Sequence, residues 1–86
     1  MSILAVFRSR SQSLDFAERL NGYGIAAETV AAPKEAKIGC GLCVRFEEKN
    51  FPRVRAILKI GKYTTFKGFY KMDFSLGKQI VFPYGK

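Results

Sequence analysis

The sequence predicts an α+β fold in which two helices cover one face of an antiparallel sheet. Three features point to it. Helical and extended hydrophobic patterns follow one another as β-α-β-β-α-β; Leu42, Val44 and Phe46 alternate with Cys43, Arg45 and Glu47; and glycine or proline marks most changes of element. That order is the ferredoxin-like βαββαβ two-layer sandwich, here with a C-terminal β extension. The 86 residues form a single domain, with a core over 3–74 and an extension over 75–86.

Ile3 to Phe7, "ILAVF", is a short continuous apolar run suited to a strand buried on both faces. A helix then starts with Ser11 or Ser13 as N-cap; Leu14, Ala17 and Leu20 share its apolar face, and Gly22 or Gly24 ends it. Ile25 to Ala32 reads as a second strand between Gly24 and Pro33, and Leu42 to Glu47 as a third. Asn50 caps a second helix with Pro52 in its first turn; Phe51, Val54, Ile57 and Leu58 form its stripe, and Gly61 closes it. From Lys62 to Phe74 aromatic and threonine residues predict a fourth strand with a bulge at Gly68. "KQIVFPY" adds an edge strand or folds back, and Pro83 suits an edge.

Composition excludes several classes of function. No apolar run approaches the ~18 residues that cross a bilayer, so no membrane is expected as a partner and the cytoplasm is the expected location. There is no histidine to act as an imidazole base, no carboxylate pair at a telling spacing and no phosphate loop. An ordinary hydrolase or transferase is therefore not expected. Charge is lopsided: residues 1–48 hold six Lys/Arg and six acids, whereas residues 49–86 hold nine Lys/Arg and only Asp73. Such a field attracts anions or serves as a solvated basic face.

Both cysteines lie in "GCGLC". If residues 40–43 were extended, their outer Cα atoms would stand ~10 Å apart, beyond the ~7 Å reach of a disulfide. Cys43 falls inside the alternating strand and reads as structural, with a role as resolving thiol open only if the chain turns at Gly41. Cys40 sits in a loop between Gly39 and Gly41, which allow a partner to approach closely. The predicted topology puts that loop at the same end as Arg8, Ser9, Arg10, Lys34, Lys37 and Lys62. Nearby cations favour the thiolate, so Cys40 is the candidate nucleophile. A closed zinc site needs four ligands and the motif supplies two, so neither a metal nor another cofactor is expected.

The strand ending "VFRS", the helix, the "V-x-x-P" strand, and the loop ending in "CG" and running into "LCVRFE" resemble the small domains called putative Se/S carrier protein-like. The resemblance covers about Ile3 to Leu58 and rests on Ser9, Pro33, Cys40, Gly41 and Arg45; the basic, aromatic stretch from Lys59 onward departs from it. It implies that Cys40 carries sulfur or selenium as a persulfide or selenylsulfide, with a donor or acceptor protein as partner. Two alternatives compete with it. Tyr63, Phe66, Phe69 and Tyr70, interleaved with Lys62, Lys67 and Lys71, could stack nucleic-acid bases, and the open sheet face could join two copies in a homodimer.

Overall fold

A computed structural model describes residues 2–32, 41–75 and 77–85. Its elements are β1 (Ser2–Phe7), α1 (Arg10–Gly22), β2 (Ala27–Ala31), β3 (Leu42–Glu47), α2 (Phe51–Gly61), β4 (Phe66–Ser75) and β5 (Lys78–Pro83), with a 3-10 turn, Glu48–Asn50, leading into α2. The strands form one antiparallel sheet in the order β2-β3-β1-β4-β5. No helix among the described residues is long and apolar enough to cross a membrane.

β1 is the central strand, paired with β3 through Ile3↔Phe46 and with β4 through Ala5↔Phe69. Ile3 to Phe7 are all fully buried. Ile3, Ala5 and Phe7 face the helices and join Phe16, Leu20, Val44, Phe46, Val54, Ile57 and Phe69 in the main core. Leu4 and Val6 point the other way and form a second cluster with Cys43. A run without polar alternation is what a strand covered on both sides requires.

Aromatic rings carry much of the main core. Phe7 lies 5.3 Å from Phe16 and 5.4 Å from both Tyr63 and Phe66, centroid to centroid. The chain of rings continues through Phe66–Phe69 at 4.9 Å, Phe69–Phe51 at 4.8 Å and Phe51–Tyr84 at 5.0 Å. These tilted and edge-on pairs each contribute about 0.5–1.5 kcal/mol beyond the area they bury. The ring of Tyr84 is fixed by its N–H, which donates to the Phe69 carbonyl at 2.9 Å, and by its hydroxyl, which donates to Glu48 at 2.9 Å.

Several element details differ from the sequence expectation. The N-cap of α1 is Ser9, whose Oγ accepts from the Gln12 N–H, so the helix begins earlier than a cap at Ser11 or Ser13 would allow. Its buried face is Ser13, Phe16, Ala17 and Leu20, and Leu14 is half exposed. β2 is shorter than Ile25 to Ala32 because Ile25 turns inward, with its N–H donating to the Leu20 carbonyl at 3.0 Å. α2 ends with Lys62, not Gly61, in the left-handed conformation (φ 51°). A Cβ on Gly61 would run into the ring of Tyr63, so the glycine serves that close approach.

The bulge expected at Gly68 is present: Val6 pairs with Gly68 and Phe7 with Phe66, which leaves Lys67 as the extra residue. β5 occupies the sheet edge with Pro83 at its last position.

Replacing Phe16 with alanine is expected to lower stability by about 3–5 kcal/mol. Leu14→Ala should change it by less than about 0.5 kcal/mol. Urea unfolding followed by circular dichroism distinguishes the two.

Candidate functional site

The ends of four strands lie side by side where β1 stops. The Arg8 N–H donates to the Thr65 carbonyl at 3.0 Å, and the Ser9 N–H to Thr65 Oγ1 at 3.3 Å. Gln12, in the first turn of α1, grips the same connection with both ends of its amide. Its nitrogen donates to Thr64 Oγ1 at 3.0 Å, and its oxygen accepts from the Thr65 N–H at 3.0 Å and the Thr65 hydroxyl at 2.6 Å. The α2–β4 connection is thereby locked to the start of α1.

β3 is tied to the same helix turn. Ser13 is fully buried, and its hydroxyl donates to the Leu42 carbonyl at 2.8 Å. One residue earlier, the Gly41 carbonyl accepts from the Ala32 N–H at 3.0 Å. The chain thus leaves β2 and re-enters β3 at neighbouring points beside the first turn of α1.

The electrostatics of this end are positive. The N-cap satisfies the Gln12 N–H through Ser9 Oγ and the Ser13 N–H through the Ser9 carbonyl. The Arg10 and Ser11 amides have no partner among the described residues, so the positive end of the helix dipole remains open there. Ser9 Oγ and Ser11 Oγ lie 2.9 Å apart and share a hydrogen bond. Arg8, Arg10, Lys62 and Lys67 are exposed.

Of the residues singled out from the sequence, Arg8, Ser9, Arg10 and Gly41 come together at this end, and Lys62 opens the connection that carries Thr64 and Thr65. Gly39, Cys40, Pro33, Lys34 and Lys37 lie outside the described residues. Gln12, Ser13, Thr64 and Thr65 were not anticipated. Their polar types gave only a capping signal and a strand signal, and their partners are distant in sequence.

Cys43 is a free thiol with no solvent exposure, packed with Leu4 and Val6 and flanked by Val30, Ala32, Tyr70 and Met72. Its Sγ stands 4.0 Å from the Ala31 carbonyl oxygen. Burial pushes the thiol up to about 11, so near neutral pH it is protonated and a poor nucleophile. Arg45 pairs with Glu28, its cross-strand neighbour, on the surface.

The four aromatics that interleave with lysines divide between the two faces of the sheet. Tyr63, Phe66 and Phe69 pack in the core, and Tyr70 lies by the second cluster on the opposite face. Tyr63 is held further by its hydroxyl, which donates to Asp15 at 2.5 Å and accepts from Arg19 at 3.0 Å.

The molecule is thus a small α+β domain with a hydroxyl-rich end edged by exposed cations. A family model described as putative Se/S carrier protein-like matches residues 2–71, and the chain belongs to that family. The match runs into β4 as far as Lys71, so Tyr63, Phe66, Phe69 and Tyr70 lie within the family's span, and the departure expected from Lys59 onward is narrowed to residues 72–86. No curated protein and no solved structure matches the chain.

Two outcomes follow for this end. Gln12→Ala should lower stability by about 1–3 kcal/mol and speed hydrogen exchange at the Thr65 amide, read by denaturant titration and NMR. Cys43 should resist iodoacetamide in the folded protein at pH 8 and react after denaturation, as peptide mass mapping would show. The fold favours its neutral thiol, so the associated stability is whole below the ordinary thiol range and is lost as pH climbs toward about 11.

Proposed function

We propose that the protein is a sulfur or selenium carrier and that the Cys40 thiolate is the atom that accepts the cargo. Membership of the family gives the reading its class. The observation that carries it to this end of the molecule is the Ser13–Leu42 hydrogen bond of 2.8 Å. It fixes the chain just after the Cys40–Gly41 pair against the first turn of α1. Open amides and the exposed Arg8 and Arg10 there favour an anion, whether a thiolate or the terminal atom of a persulfide.

The chemistry needs no external oxidant. The Cys40 thiolate attacks the terminal sulfur of a donor persulfide, or the selenium of a donor selenylsulfide. A new Cys40–S or Cys40–Se bond forms as the donor's own bond to that atom breaks, and the donor cysteine leaves as a thiolate with the electron pair. Cys43 stays buried and takes no part, which favours a structural role over that of a resolving thiol. A reducing cytoplasm suits a free thiol of this kind. The order β2-β3-β1-β4, with α1 and α2 each in a crossover, supports reading the first four strands as the ferredoxin-like unit and β5 as its extension.

Incubation with a persulfide donor, followed by mass spectrometry of the intact protein, is expected to show one added sulfur that maps to Cys40. Cys40→Ser should abolish the adduct and Cys43→Ala should keep it. Reduced, folded protein that gains no sulfur would refute the proposal.

A further inference from the structure

The outer surface of α2 holds a feature that the thiol chemistry does not use. Between the second half of α2 and β4 lies a cleft of about 210 Å³, walled by Leu58, Phe66 and Phe69 and by the backbone of Gly68 and Gly85. Among the described residues, its charged lining is Arg55 and Lys59. They stand one helical turn apart, both are exposed, and neither makes an ion pair with an acid among the described residues. Phe66 also lines a second depression with Arg8, Thr64, Thr65 and Lys67.

We propose that this cleft is a docking site for an acidic protein segment that inserts one apolar side chain between α2 and β4 while its carboxylates pair with Arg55 and Lys59. The cleft is the size of one large side chain and its interior is apolar, which suits an anchor residue. The rim is cationic, which suits flanking Asp or Glu. Nucleic acid fits less well, because the two rings that wall the cleft, Phe66 and Phe69, are packed against Phe7, Phe46 and Phe51. As to which protein this is, the inference rests on the carrier reading: the partner is a donor or acceptor of the Cys40 cargo.

The test uses the full chain and a fluorescein-labelled peptide of alternating Glu and Asp around a central Phe, followed by fluorescence anisotropy. Binding should weaken as salt rises, and should fall roughly tenfold or more when the Phe is replaced by Ser or when the protein carries Arg55→Glu with Lys59→Glu. Lys49→Glu changes the net charge outside the cleft and should have little effect. The Leu58, Gly68 and Gly85 amides should shift in NMR spectra on titration.

Equal weakening by Lys49→Glu, indifference to the peptide's Phe, or tighter binding of single-stranded DNA than of the peptide would each overturn the site. Loading of Cys40 by a small-molecule polysulfide should be unchanged in the Arg55/Lys59 double variant. If Cys40 is not loaded in any variant, the carrier reading fails while the peptide titration still judges the cleft.

Discussion

β1 has no solvent-facing side, and the rest of the molecule is arranged around that requirement. Each of its five apolar residues needs neighbours above or below the sheet, and both of its edges need strands to take up its amides and carbonyls. β3 and β4 satisfy the edges. α1 and α2 cover Ile3, Ala5 and Phe7, while Cys43 is one of the few groups that meet Leu4 and Val6. The cysteine therefore belongs to the packing of the central strand, and the same burial that makes it useful there holds its thiol protonated.

The polar end depends on the same strand. Where β1 gives way to Arg8 and Ser9 the sheet ladder runs out, and the exposed backbone groups are taken up by α1's first turn and by Thr65. Gln12 and Ser13, adjacent in the helix, divide the work: one reaches the α2–β4 connection and the other reaches β3. Positive charge collects at this end because the helix begins there with unpaired amides and exposed guanidinium groups. Neither acid of the helix, Asp15 or Glu18, lies in its first turn.

Local signals in the sequence located the elements whose geometry is local. The period of two from Leu42 to Glu47, the unbroken apolar run of β1 and the Asn50–Pro52 start of α2 are each set by residues close together in the chain. The inner face of α1 was legible only in part: Ala17 and Leu20 are buried as expected, but a serine also occupies a fully buried position and Leu14 lies outside. Ser13 is tolerated there only through a carbonyl 29 residues away. The same holds for Gln12, whose partners lie more than 50 residues on, and for Gly61, whose lack of a side chain makes room for Tyr63 rather than for a turn. The shared location of Arg8, Ser9, Arg10 and the chain re-entering β3 was legible because it follows from connection order alone.

The single extra residue at Lys67 sets the parity of everything after it in β4. Ahead of it, Phe66 faces the helices; past it, Phe69 and Lys71 do so too, and Tyr70 and Met72 take the other face. A strand without the insertion would send Phe69 to the opposite face and bring Tyr70 into the ring stack. One residue of chain length thus acts as a phase shift, sorting the side chains of β4 from Phe69 to Met72 between the two faces of the sheet without any change in their chemistry.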